Sequence, residues 1–364
     1  MFNQPAKIEY AVFEENRRII ICSDIHGNLP YFKGLLDKVH FCNEDILVID
    51  GDFLEKGSYS LETLRYIMAL SESGNVYTIL GNCDEWHLVF QWGENGNEHL
   101  HHYFTHKKYG LLYEMLTVCG IDPLTCRFSD HMSLLKERFA SEWLFLSSLP
   151  HALVTEKYVF AHAGIDGSKP IDENSSDDFT TRDAFLRENQ CFDRWVISGH
   201  WPCVLYGENL VCANPIIDRD HHIISIDGGC VLKDDGQLNA LIIPSYGSDE
   251  FTFEYYDPFP TAVVLDDQAE SEKSYYIRWG DSTVRVLNRG DEFSRCRHIR
   301  TGYEMDILTK YLFTDCDETG CNDCTDYILP LKAGDIVSII ETTSRGYFVK
   351  HNGISGWYFG RLSV

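Results

Sequence analysis

From Arg18 the chain alternates short apolar runs with stretches whose apolar positions recur at helical spacing. RIIICSD reads as a buried strand, LPYFKGLLDKV as an amphipathic helix and DILVIDGD as a strand; SLETLRYIMALSE follows as a helix and NVYTILGN as a strand. This βαβαβ order is that of a layered α/β fold. Each strand ends in a polar cluster: Ser23-Asp24-Ile25-His26-Gly27, Gly51-Asp52 and Gly81-Asn82-Cys83-Asp84. The C-terminal ends of neighbouring strands converge in space, and α/β folds place their chemistry there.

Between Trp86 and about Leu149 the pattern is helical and rich in aromatic residues, with His99, His101, His102 and His106 read as a solvated face rather than a metal site. Strands resume with KYVFAHAG, WVISGHWP, HHIISIDGGCVL and LNALIIP. The α/β domain is thus expected over 1–257. The stretch DPFPTAVVLDDQAESEKS has two prolines and no lasting period, so 258–275 reads as a linker. Short β-like runs with turn residues follow, YYIRWG, STVRVLN, DIVSIIET, GYFVKHN and GWYFGRLSV, predicting a small all-β domain over 276–364.

The composition adds limits. With 364 residues, 44% hydrophobic and 24% charged, the chain can bury a sizeable core and exceeds the usual size of one domain. A formal charge of −25 with no basic block argues against nucleic acid and anionic membrane as partners. Phosphate remains an accessible ligand if metal ions supply the positive charge. The N-terminus is interrupted by Glu9, Glu14, Glu15 and Arg17, unlike a secretory signal, and no stretch has the apolar length of a membrane span. Thirteen scattered cysteines, several inside apolar runs, fit reduced thiols and a cytoplasmic protein.

The strand-end clusters hold what a water-activating metal site needs: carboxylate, imidazole and carbonyl ligands on rigid elements. Asp24 and His26, two apart, can leave an extended segment on the same side and chelate one metal. Asp52 is placed to bridge two metals. Asn82 would give its carbonyl oxygen to the second, and His162 and His200, each beside glycine, would complete it.

SDIHGN, GDFLEKG, GNCDE, FAHAG, ISGHWP and IDGG, in that order, resemble the signature of the phosphoprotein-phosphatase branch of the calcineurin-like metallophosphoesterases, over about Arg18 to Tyr256. The resemblance implies a sandwich of two mixed sheets flanked by helices, with two divalent metal ions at one edge, Mn²⁺ first and Fe or Zn²⁺ as alternatives. It assigns Asp24 and His26 to the first metal, Asp52 to the bridge, and Asn82, His162 and His200 to the second. The implied reaction is hydrolysis of a phosphomonoester, in a phosphoprotein or a small metabolite, by a metal-bridging hydroxide. Alternatives are a dinucleoside polyphosphate hydrolase, a phosphodiesterase, and a metal-binding pseudophosphatase that recognises a phosphorylated partner.

Three positions depart from the family pattern. Lys56 stands where the family has the arginine that grips phosphate, keeping the charge but losing the bidentate fork. Cys83 replaces the histidine thought to protonate the leaving group, and Glu55 stands where that histidine's acidic partner would be. Loss of a positioned acid costs about 10²–10⁴ in rate and matters most for poor leaving groups. His87, four residues after Cys83, is a candidate substitute acid on a helix opening there, and Arg182 a candidate substrate-binding guanidinium. The segment from Leu331 to Val364 resembles bacterial Src-homology-3-like domains, implying a small barrel that contacts a protein partner or places the catalytic domain. Cys316, Cys321 and Cys324, with Cys296 or His298, form a possible structural zinc set.

Overall fold

In the computed structural model, which describes residues 5–315 and 318–363, the side chains of the first long strand alternate between two cores. Ile19 and Ile21 face one and Ile20 and Cys22 the other, as the two-residue period of a strand requires. The chain divides into two compact units.

The first unit comprises Met1–Pro202, Pro215–Leu232 and Gly236–Asp257. Its elements in chain order are β1 (Ile8–Tyr10), β2 (Ile19–Cys22), α1 (Leu29–Lys38), β3 (Ile46–Asp50), α2 (Ser60–Ser71), β4 (Val76–Ile79), α3 (Gly96–Lys107), α4 (Leu111–Val118), α5 (Phe128–Arg138), α6 (Ala140–Ser148), β5 (Ala152–Val154), β6 (Tyr158–Ala161), α7 (Ser176–Thr180) and β7 (Trp195–Ser198). After β8 (Val211–Cys212), which groups with the second unit, come β9 (Ile216–Asp218), β10 (Ile223–Ser225), β11 (Leu238–Ile243) and β12 (Thr252–Tyr256).

These strands form a five-stranded sheet, order β12-β11-β2-β3-β4, and a six-stranded sheet, order β1-β5-β6-β7-β10-β9. Between them lies a core of Ile19, Ile21, Val48 and Ile79 from one sheet with Leu153, Phe160, Ile197 and Ile224 from the other. The outer face of the first sheet packs on helices α1 to α6 through Leu35, Leu64, Leu100, Met115, Leu135 and Leu146. The outer face of the second packs on Ile165, Phe179 and Phe185. The parallel register sets Cys22 beside Ile49 and Asp50 beside Ile79, so the loops carrying Asp24, Asp52 and Asn82 leave at one edge. This is the expected two-sheet α/β sandwich.

The second unit, Cys203–Asn214, Lys233–Asp235 and Pro258–Val364, is a β-structure built on antiparallel strands. Its six-stranded sheet runs in the order Leu362–Ser363, Thr261–Val264, Ile336–Thr342, Tyr347–His351, Ile354–Tyr358 and β8. Val264, Leu329, Val337, Val349 and Tyr358 form its core. A three-stranded meander, Val284–Asn288, Phe293–His298 and Glu304–Leu308, has a core of its own around Cys296, Met305 and Ile307. Within 258–275, read from sequence as a linker, Thr261–Val264 is a paired strand. Its alternating burial was masked in the sequence by the prolines and acidic residues around it.

Of the zinc set, Cys316 lies outside the described residues. Cys321 and Cys324 bring their sulfurs to 3.8 Å, while Cys321 and Cys296 are buried in the meander's core. The His298 ring is committed to Thr301 and Asp281. Among the described residues, both groups of three side chains whose ligand atoms cluster tightly enough for a metal lie in the first unit. Nor is any helix among them long and apolar enough to cross a membrane.

Candidate metal centre

The loops that follow β2 and β3 are laced by backbone bonds: Asp24 N–H donates to Gly51 (3.0 Å), His26 N–H to Asp52 (2.9 Å) and Gly27 N–H to Phe53 (2.9 Å). This lacing holds residues in conformations they would not choose. Asp24, His26, Asp52, Glu55, Lys56 and His200 all have φ between +49° and +65°. For side chains with a Cβ such strain costs about 1–3 kcal/mol each and gathers at functional sites. Two glycines allow the carboxylates in. A Cβ on Gly81 would fall 2.2 Å from Asp52 Oδ1, and one on Gly199 would fall 2.2 Å from Asp24 Oδ2.

Six side chains singled out in the sequence have ligand atoms to offer, and Asp24, His26, Asp52, His162 and His200 converge. His162 Nε2 lies 3.3 Å from Asp52 Oδ1; His26 Nε2 lies 3.7 Å from Asp24 Oδ1 and 3.9 Å from Asp52 Oδ2. The His200 backbone N–H donates to Asp24 Oδ2 at 3.0 Å, and the His162 and His200 rings meet edge to face at 5.2 Å. Ligand atoms of Asp52, His162 and His200 fall within 4.8 Å of one another, as do those of His26, Asp52 and Cys83. Asp52 is common to both groups, the position expected of a bridge.

The donor set fits divalent metal. Nδ1 of His26 faces the Leu54 carbonyl at 3.3 Å and Nδ1 of His162 the Asp50 carbonyl at 2.9 Å. A carbonyl can only accept, so each ring donates from Nδ1 and directs Nε2 toward the carboxylates. His26 Nε2, Asp24 Oδ1 and Asn82 Oδ1 are buried without a hydrogen-bond partner. Buried acceptors are rarely left so, and a cation satisfies all three. The electrostatics agree. Burial holds His26 at about 4, and burial with the His162 charge does the same to His200, keeping both imidazoles in their ligating form. Burial and the neighbouring Asp227 push Asp24 well above the usual carboxyl range. His162, which burial alone would lower, is instead held well above its usual value by Asp52 and Asp24. Its proton stands where positive charge is wanted.

The remaining candidates separate. Cys83 donates its backbone N–H to Asp52 Oδ1 at 2.8 Å, and burial followed by the Asp52 charge pushes its thiol well above the usual range. Lys56 is pulled down by burial but held, on balance, above its usual value by Cys83, Asp52 and Asp24. Burial raises the Glu55 carboxyl to about 7, although it accepts hydrogen bonds from the Tyr103 hydroxyl and the Leu111 N–H. Glu55, Lys56, Asn82 and Cys83 line a cavity of about 880 Å³ whose wall continues through Trp86, Trp92 and Tyr103.

His87 is absent from that lining. The segment after Cys83 is a tight 3₁₀ helix that begins only at Glu85, so the four-residue spacing does not bring Cys83 and His87 to one face. Burial lowers the His87 imidazole, and its charged neighbours are Glu85, Lys7 and His151. Arg182 is gripped by both oxygens of Glu188 (2.9 and 2.8 Å) and by Asp178 (3.4 Å).

Sequence reasoning passed over two residues. Asp84 accepts from the backbone N–H groups of Asp52 (2.7 Å), Gly81 (2.8 Å) and Leu54 (3.0 Å), fixing the Asp52 loop; its place in GNCDE was the available signal. Tyr103, on α3, carried no signal, since nothing local ties it to Glu55.

A sequence model of the calcineurin-like phosphoesterase family matches residues 17–219. The chain belongs to this family. The calcineurin-like phosphoesterase resembles symmetrical bis(5'-nucleosyl)-tetraphosphatases of Buchnera aphidicola: 44% identity over 62 residues in one strain, covering 17% of this chain and 22% of the relative, and 30% over 155 residues in another, covering 42% and 47%. The chain thus spans less than half the length of these relatives. Among solved structures it is similar to a protein serine/threonine phosphatase from Saccharomyces cerevisiae, at 14% identity and a TM-score of 0.42, over 71% of this chain and 85% of that one.

Proposed function

We propose that this calcineurin-like phosphoesterase is a metal-dependent hydrolase of phosphoric anhydrides of the dinucleoside polyphosphate class, in preference to alkyl phosphomonoesters. The observation that carries the reading is the convergence of two ligand groups on Asp52 with Cys83, not a histidine, beside them. Asp24, His26 and Asp52 would hold one divalent ion, and Asp52, Asn82, His162 and His200 the other. When bound, such a pair lowers the pKa of water between the ions and neutralises charge on the phosphoryl oxygens.

The chain's own residues do the rest. Asp50 and Leu54 orient the two imidazoles through their carbonyls, and Asp84 holds the backbone from which Asp52 projects. Lys56 lines the cavity as a point charge for phosphate. An anhydride's leaving phosphate departs without needing a proton, whereas a serine alkoxide does not. The sequence relationship to tetraphosphatases points the same way. For poorer leaving groups the Glu55 carboxyl, bonded to the Tyr103 hydroxyl, is the group in the cavity positioned to supply a proton.

The test is turnover of diadenosine tetraphosphate, p-nitrophenyl phosphate, bis-p-nitrophenyl phosphate and a phosphoserine peptide by metal-loaded protein, with Asp52→Asn as the blank. Fastest cleavage of the anhydride, abolished in the variant, is expected. Faster cleavage of the phosphoserine peptide would return the protein to the phosphomonoesterases; two bound metals without turnover would make it a binding protein.

A further inference from the structure

The cavity beside the metal centre changes character along its length. At one end are Lys56, Asn82 and Cys83; the wall beyond is aromatic, with Trp86 centred 6.3 Å from Trp92 and 5.8 Å from Tyr103. All three rings are only partly buried, and all three line the cavity, with Trp86 tilted 52° to Trp92 and 55° to Tyr103. A core packed for stability would cover them. Gln91 and Asn95, both exposed, line the same cavity and bring amide groups able to donate and accept at once.

We infer that this cavity is a nucleobase site: Trp92, Trp86 and Tyr103 stack the purine of a nucleoside polyphosphate whose phosphates run past Lys56 to the metal centre. The inference rests on the proposed anhydride substrate and adds what the substrate must carry. Flat, partly exposed aromatic rings are what unpaired bases stack on. Side-chain amides such as Gln91 and Asn95 match the paired donor and acceptor on a purine edge. A phosphoserine side chain would leave the wall wet. A single phenyl ring would occupy little of about 880 Å³ and make no use of either amide.

The experiment compares diadenosine tetraphosphate with inorganic tetraphosphate, which has the same anhydride and no base, in the full metal-loaded chain. The base is expected to raise kcat/KM by about tenfold or more, the scale of one base–aromatic stack. In Trp92→Ala that preference collapses toward one, while Trp92→Phe, which keeps an aromatic face, retains most of it. Equal rates on the two compounds in the parent protein would overturn the base site and leave the anhydride reading standing. An equal loss of p-nitrophenyl phosphate turnover in Trp92→Ala would also overturn it, marking a general aryl pocket. If neither polyphosphate is cleaved, the anhydride reading fails by itself and a titration with adenosine decides the cavity. Saturable quenching of tryptophan fluorescence that Trp92→Ala weakens supports the site, and no quenching overturns it.

Discussion

The Cys83 side chain lies in the ligand group of His26 and Asp52, and burial with the Asp52 charge keeps it a thiol. In that form it is a poor nucleophile and a weak hydrogen-bond donor. A histidine there would offer a proton, so Cys83→His is expected to raise kcat/KM for a phosphoserine peptide by about 10², the lower end of what a positioned acid contributes. The gain on diadenosine tetraphosphate should be much smaller. Equal gains on both would mean that Cys83 does not set the leaving-group preference. Glu55 gives a pH dependence. With its carboxyl raised to about 7, the proton is present below that pH and lost as pH rises through it. Turnover of an alkyl phosphate should therefore fall as pH rises through 7, and Glu55→Gln, which cannot titrate, should flatten that limb. A limb that persists in the variant assigns it to another group.

At the scale of elements, the centre depends on how closely strand-end loops approach. Because a Cβ on Gly199 would stand 2.2 Å from Asp24 Oδ2, Gly199→Ala must move Asp24 or the loop that carries His200. We expect metal content to fall while far-UV circular dichroism stays that of the parent; full metal content in this variant would show that the loops have slack. Asp84→Ala leaves three buried N–H groups unpaired, at about 1–3 kcal/mol each, and should lower the melting temperature as well as metal content. These elements were readable in different degrees. The β2, β3 and β4 runs stand out because three or four apolar residues precede a polar loop, and the ligands follow directly from them. β1 and β9, the edge strands of the six-stranded sheet, are three residues each and have no fully buried position, so no apolar run marked them. Tyr103 was invisible for a different reason: its bond to Glu55 spans 48 positions, and no local pattern encodes that.

For the molecule as a whole, sequence order and structural grouping part company after the Gly199-His200 turn. Residues 203–214 were read as part of the α/β domain, yet they group with the second unit, where β8 pairs with Ile354 and Ser355. Ala213 N–H donates to Gly353 (2.9 Å), and the Asn214 amide to Asn352 (2.8 Å). No periodicity reveals a two-residue strand that finds its partner some 140 positions away. A cut after Asp257 would therefore separate residues 203–214 from the unit they group with. It would leave β8 without its partner strand, and Val211, buried in the intact chain and paired with Ser355, is expected to gain exposure. Burying a valine is worth about 1.5–3 kcal/mol. The freed segment begins three residues after His200, so the loosening should reach His200 and the ligand group it forms with Asp52 and His162. The 1–257 fragment is therefore expected to melt below the full chain and to bind divalent metal more weakly in calorimetric titration. A fragment with the melting temperature and metal affinity of the parent would show that residues 203–214 act only as a tether.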